Sequence, residues 1–396
     1  MKRIMVGIDV GSATHRIVGR GENGELLYEK EVKHEIGAIE EMIGELEELR
    51  GDGDTTIEIG LEGRNGYSRP MDRMLLEHGF KVHSVDNMSV KQFRSVFGAD
   101  SKTDKRDAEM MSKLIRLKGD INAGEGKAIK EIKENNQVNE KIKIIARHQA
   151  WLIKEKVRTI EILEKTILEV SPEFLKEMDL TGKTAIEILA RYPDFSKYKN
   201  LSETRLRKID GVGAKKAESL AKRLQVIKYD GYVIEEYTMM IKSYAKRIKE
   251  LVEEIEKQDK RLEELGKESV DVQLLISMPG VGIRTAARIV GEIERIERFK
   301  SERNLAAYSG VIPLNNESGK HKGTKMIYKC NKRLKNTLIQ MAGNTIRYVP
   351  EAKTYYDKKI AEGKKHNHAL RCLARQLIKV IFKMLTEHRK YRIFGV

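Results

Sequence analysis

Residues 3–32, RIMVGIDVGSATHRIVGRGENGELLYEKEV, contain three apolar runs separated by short polar breaks. RIMVGIDV (3–10) and HRIVGRG (15–21) are short and rich in Val and Ile, which suits strands better than helices. Asn23-Gly24 then precedes ELLYEKEV (25–32), and this dipeptide favours a tight hairpin turn. Three consecutive strands are therefore expected. Beyond them, Ile36, Ile39, Ile43 and Leu46 recur at helical spacing to about Leu49, and TTIEIGLEG (55–63) reads as a buried strand. A helix over 67–78, a fifth strand KVHSVD (81–86) and helices over 88–97 and 104–118 complete the pattern.

This order sets an antiparallel hairpin beside a parallel set of strands, the arrangement of a ribonuclease-H-like α/β fold. In such a sheet the first and fourth strands are neighbours. Asp9 in the first and Glu62 at the end of the fourth can then face each other at the carboxyl edge. Asp104 and Asp107 in SKTDKRDAE are three apart, on one face of a helix. Four converging carboxylates repel one another and raise each other's pKa, whereas oxygen-seeking Mg²⁺ relieves the repulsion. Two such ions can clamp a phosphodiester during in-line displacement. Glycines beside Glu62 in GLEGRNGY leave room for a ligand, and helix capping is the alternative role for Asp104.

Charge is distributed unevenly along the 396 residues. The net charge is +16, yet residues 1–100 hold 13 basic and 19 acidic side chains, while 300–396 hold 22 basic and 6 acidic. An acidic head with a basic tail points to a polyanion on the tail, most simply nucleic acid. The composition, 40% hydrophobic and 34% charged, excludes whole-chain disorder and collagen-like repeats. No uncharged apolar run reaches the ~18 residues of a membrane helix, so a cytoplasmic protein without membrane contact is expected. Cys330 and Cys372 are too few for a disulfide framework and read as reduced thiols.

From about 127 to 270 the pattern is mostly helical. Between Tyr232 and Glu268, Ile234, Tyr237, Ile241, Tyr244, Ile248, Leu251, Ile255 and Leu262 fall near heptad spacing, which fits a coiled-coil arm or an ordinary long bundle helix. MPGVGIRTAARIV (278–290) places Gly280 and Gly282 before a helix, as in a helix-hairpin-helix element whose free backbone N–H groups hold phosphate. IDGVGAKKA (209–217) repeats the G-V-G-x-x-x-A spacing. In the last helix Arg371, Arg375, Lys379 and Lys383 recur every four residues, a stripe that suits a polyanion or a solvated face. The expected divisions are 1–120, a metal-binding domain; 121–270, a helical linker with the coiled-coil region; and 271–396, a mainly α basic domain.

These motifs together resemble the DEDD transposases of the insertion sequence 110 class, whose N-terminal domain is like that of the RuvC junction resolvases. The resemblance rests on GIDVGSATH, GLEGRNGY and KTDKRDAEMMSKL in the head. In the tail it rests on LISMPGVGIRTAARIVGEI, RFKSERNLAAYSGVIP, ESGKHKG and LKNTLIQMA. It implies that Asp9, Glu62, Asp104 and Asp107 are the metal-binding tetrad, and that Ser318, before Gly319, is a nucleophile toward DNA phosphate. Lys320, Lys322 and Lys325 flank that serine and would stabilise its attack electrostatically. Ser309, in AYSG, is the rival position. KCNKR (329–333) departs from the small, glycine-containing segment usual for the class. The resemblance further implies double-stranded DNA as substrate and, in some members, an element-encoded guide RNA. Strand exchange between two duplexes needs several active sites, hence a homodimer or homotetramer.

Two other readings compete. A RuvC-like nuclease or Holliday junction resolvase would use the tetrad with water as nucleophile. An actin-like ATPase or kinase could begin with a strand like GIDVGS, but its second phosphate loop would have to be Asp210 to Gly213, which follows charged, helical ETRLRKI, and it leaves the basic tail without a role.

Overall fold

The three opening runs pair as their turns require. In the computed structural model, which describes residues 2–51, 55–62, 66–96, 103–121, 129–133, 136–232, 234–318, 321–326 and 330–392, the chain divides into two compact units, 1–134 and 135–396. The first unit runs β1 (Lys2–Val10), β2 (Thr14–Gly21), β3 (Leu26–Lys33), α1 (Ile36–Arg50), β4 (Thr55–Glu62), α2 (Arg69–Glu77), β5 (Lys81–Val85), α3 (Asn87–Val96), α4 (Asp104–Arg116), α5 (Lys118–Ile121) and β6 (Ile129–Ile132). The sheet order is β3-β2-β1-β4-β5-β6. β1, β2 and β3 are joined antiparallel, β1, β4 and β5 parallel, and β6 lies antiparallel at the edge.

Strand alternation divides the sheet into two faces. Ile4, Val6, Ile8 and Val10 of β1 and Ile57, Ile59 and Leu61 of β4 pack with Ile39, Ile43 and Leu46 of α1 and Met71 and Leu75 of α2. Met5 turns the other way, toward Met110, Met111, Leu114 and Ile115 of α4. Period two therefore puts Gly7, Asp9, Gly60 and Glu62 on the α4 face. β6 corrects the helical expectation for this stretch. Its buried Ile129 and Ile132 are three apart, a spacing that fits a helix turn as well as a four-residue edge strand.

The second unit runs α6 (Gln137–Val170), α7 (Pro172–Glu177), α8 (Lys183–Arg191), α9 (Glu203–Leu206), α10 (Ala214–Gln225), α11 (Ile234–Glu268), α12 (Val270–Leu275), α13 (Ile283–Ile293), α14 (Glu302–Ser309), β7 (Pro313–Ser318), β8 (His321–Met326), α15 (Lys332–Tyr348), α16 (Pro350–Ala361) and α17 (His366–Thr386). α6 and α11 run antiparallel, with Gln149 bonded to Asp259 and Tyr237 to Glu169. One apolar core gathers the far half of α6, the near half of α11 and the helices between them. The other gathers the opposite ends of the two long helices with α12 to α17. Among the described residues no helix is long and apolar enough to cross a membrane.

Candidate active site

Two glycines bring α4 onto the sheet. A Cβ on Gly7 would lie 2.0 Å from the Ala108 carbonyl oxygen, and one on Gly60 would lie 2.7 Å from Cγ1 of Ile115. Each glycine precedes a carboxylate by two residues on the same face, so the bare backbone receives the helix rather than a ligand. The buried Ser112 hydroxyl donates to the Met5 carbonyl at 2.8 Å, and Arg20 to Glu109 and Lys105 to Glu29 clamp the outer side of α4. Thr103 caps the helix, its hydroxyl accepting from the Arg106 N–H, so Asp104 occupies the first helical position and is not the cap.

Asp9, Glu62, Asp104 and Asp107 consequently share one electrostatic neighbourhood. Burial first, then a side-chain hydrogen bond with Glu62 and repulsion from Glu62, Asp104 and Asp107, push the Asp9 carboxyl up to about 7. Asp107 is buried and held at 2.5 Å by Arg94 of α3, a cation that sequence reasoning missed. Glu62 is half-buried and Asp104 exposed. Among the described residues no three acidic, His or Cys side chains stand arranged as a ready-made ion site. The donor set is nevertheless all oxygen, with mutual repulsion that a hard divalent cation would relieve.

In the second unit the two G-V-G motifs adopt one local geometry. Gly211 and Gly280 have φ of +74° and +80°, and Gly213 and Gly282 are the N-cap residues of α10 and α13. Ala217 and Ala286, four residues on, are fully buried. A Cβ on Gly211 would meet nothing within 4 Å, whereas one on Gly280 would lie 2.7 Å from Tyr348. The second loop opens into a cavity of about 490 Å³ whose lining includes Asn344, Arg347 and Tyr348.

Three family models match this chain. One for DEDD transposases of the IS110 type covers residues 6–172, one described as the transposase IS116/IS110/IS902 family covers 272–357, and a SAM-like helix-hairpin-helix tandem covers 179–225. The chain belongs to the IS110 family of transposases. It is 26% identical to an insertion element IS116 protein of Streptomyces clavuligerus, across 98% of this chain and 96% of that one. It is 22% identical to an insertion element IS900 protein of Mycobacterium paratuberculosis, across 98% and 97%. It is also 30% identical to a transposase for insertion sequence element IS1111A of Coxiella burnetii over 138 residues, 34% of this chain and 38% of that one.

The transposase places its tail residues unevenly. Ser318 ends β7, paired across the hairpin with His321, and is thus a strand residue rather than part of an open loop; its side chain lies outside the described part. Lys322 and Lys325 are in β8, and Lys320 lies outside the described residues. Ser309 is fully buried and donates to the Ala306 carbonyl at 3.0 Å, which makes it a helix-end residue. In KCNKR, Asn331 caps α15 and donates to Glu292 and Tyr308, while Cys330 fills the space beside Gly310. The α17 stripe is not uniform. Lys379 and Lys383 are exposed, but Arg371 and Arg375 are half-buried, Arg375 lying 3.9 Å from Glu302.

Proposed function

We propose that this transposase cleaves and exchanges DNA strands with Mg²⁺ held by Asp9, Glu62, Asp104 and Asp107 of a ribonuclease-H-like, RuvC-like first unit, and with Ser318 as nucleophile. The observation that carries the reading is the raised Asp9 carboxyl among three further acids at the carboxyl edge of β1 and β4. Mg²⁺ held there would supply charge neutralisation for the phosphate under attack, and the oxygen-only donors suit one or two ions. Asp9, whose carboxyl is raised, would have to lose its proton to hold the ion, and Arg94 sets the Asp107 carboxylate against α3.

The Ser318 hydroxyl attacks phosphorus in line. A covalent serine–phosphate ester forms, the departing 3′ or 5′ oxygen takes a proton, and attack by the incoming strand's hydroxyl releases the serine. Lys322 and Lys325 on the neighbouring strand, with Lys320, are the cations nearest in sequence to neutralise the transition state. Gly280, Gly282, Arg371, Arg375, Lys379 and Lys383 hold duplex backbone. Two or four copies supply the active sites that exchange between two duplexes needs, and an element-encoded RNA selects the partners.

The test is strand exchange on DNA carrying the element's ends. Wild type should form a protein–DNA adduct and joined product only with Mg²⁺. Ser318→Ala should lose the adduct, and Asp9→Ala should lose cleavage. Cleavage by Ser318→Ala at the wild-type rate would overturn the nucleophile and leave a water-using nuclease. Sequencing of nucleic acid that stays bound through a moderate salt wash tests the RNA.

A further inference from the structure

The second unit has a cationic cavity that the reading above leaves unused. It measures about 620 Å³ and is lined by Lys154 of α6, Tyr308 of α14, and Cys330, Asn331, Lys332 and Arg333 at the start of α15. Its frame is rigid. Arg147 grips buried Glu292 through two bonds of 2.9 Å, and Asn331 donates to the same carboxylate and to Tyr308. Burial alone would raise the Glu292 carboxyl, but those hydrogen bonds outweigh it and hold the group below its ordinary range.

Against that frame the cations are poorly compensated. Lys154, Lys332 and Arg333 are exposed and make no salt bridge among the described residues, and of the three only Arg333 is near enough to Glu292 to help lower its carboxyl. Lys332 and Arg333 also sit in the first turn of a 17-residue helix with no acidic residue there, the end at which the helix dipole disfavours positive charge. An anion in the cavity would reverse that cost.

Beside it stands the chain's single tryptophan. Trp151 precedes Lys154 by three positions on α6, so the two side chains emerge on adjacent parts of one face. Its indole lies 5.8 Å from the His148 ring at 17°, a stacked pair, yet the residue is 51% exposed. Imidazole, itself 3.4 Å from a Glu254 carboxylate oxygen, backs one face, and about half of the residue is open to solvent. A half-backed aromatic next to unpaired cations suits a base with a phosphate beside it.

We propose that Trp151, Lys154, Lys332 and Arg333 bind unpaired nucleotides, with the indole stacked on a base and the three cations on flanking phosphates. The proposal rests on the reading that this protein cleaves and exchanges DNA strands, and it concerns a site separate from the four acids. Because Trp151 is the only tryptophan, its emission reports the contact directly in the unmodified full chain. Single strands of about 12 nucleotides, one of DNA and one of RNA, and a blunt DNA duplex are titrated in, with anisotropy of the labelled strand followed in parallel.

Saturable quenching at the anisotropy midpoint, stronger for single strands than for duplex, is the expected result, and the better of the DNA and RNA arms identifies the source. Trp151→Ala should weaken single-strand binding by roughly 5- to 100-fold. Trp151→Phe, which keeps a smaller stacking face, should recover part of that. Lys154→Gln and Arg333→Gln should each lower the slope of log affinity against log salt by about 1. Binding seen by anisotropy with no change in emission would overturn the site and leave the DNA-exchange reading standing. No binding by either measure would overturn both. Emission that follows protein concentration and ignores added strand would assign Trp151 to a contact between copies and overturn the proposal.

Discussion

Two regions of this molecule hold like charges together, and they do it differently. In the first unit four carboxylates gather at the end of β1, where burial first and then the neighbouring acids push the Asp9 carboxyl up to about 7. In the second, cations recur every four residues along α17 and gather around the start of α15, and Lys379, Lys383, Lys332 and Arg333 are exposed to water and salt that weaken their repulsion. A compact, partly buried cluster suits a compact counterion, and an extended, hydrated one suits an extended polyanion. The spacing of the repulsion thus distinguishes a metal site from a nucleic-acid surface.

Removing the cluster's chemistry is the severest way to break the comparison. Asp9→Ala should reduce strand cleavage by at least about 1,000-fold, measured on element-end DNA at saturating Mg²⁺, with DNA affinity unchanged. Gly7→Ala attacks the same site through packing. Its Cβ would meet a backbone oxygen, which cannot rotate away, so α4 must shift and take Asp104 and Asp107 from Asp9. We expect a loss of about 3 kcal/mol in urea unfolding, together with loss of cleavage.

Asp9→Asn sharpens the comparison, since it removes repulsion while keeping shape. A carboxyl whose pKa is raised on folding favours the folded state below its unfolded value of 3.8 and loses that advantage as pH rises through about 7. The amide should therefore stabilise the metal-free protein at pH 8 by about 1–2 kcal/mol, a figure reduced for solvent screening. The gain should shrink toward zero near pH 4. Wild type and variant must be compared at each pH. Buried His15, lowered to about 4 by desolvation and His34, destabilises the fold in the opposite direction as pH falls from 6.5. Melting temperature without and with Mg²⁺ is the measurement, and an Asn gain that persists at pH 4 would refute the repulsion.

Much of the site could be read from residues that act locally. Asp9 and Glu62 stand out because period-two alternation places both on one face, and G-V-G-x-x-x-A signals its turn because Gly211 and Gly280 need positive φ. Arg94, Arg347 and Trp151 gave no such signal. Arg94 meets Asp107 only once α3 lies against α4, Arg347 meets the Gly280 loop only through the packing of α15, and a lone tryptophan in a long helix reads as core. β6 was hidden for a related reason, since its two isoleucines are three apart, as on one helix face, whereas in the strand they point to opposite faces of the sheet.

The smallest effects test the dispersed charge. Lys379 has Arg375 and Lys383 four residues away on either side and no salt bridge among the described residues, while Lys383 has Glu387 at 3.8 Å. Like charges at that spacing cost a helix about 0.2–0.5 kcal/mol per pair. Lys379→Gln should therefore raise stability by a few tenths of a kcal/mol while lowering the salt slope of DNA binding by about 1. Lys383→Gln gives up an attraction along with a repulsion, so its stability should hardly change. If Lys379→Gln left the salt slope untouched, α17 would be a solvated face, and the polyanion would have to lie on the cations around α15 instead.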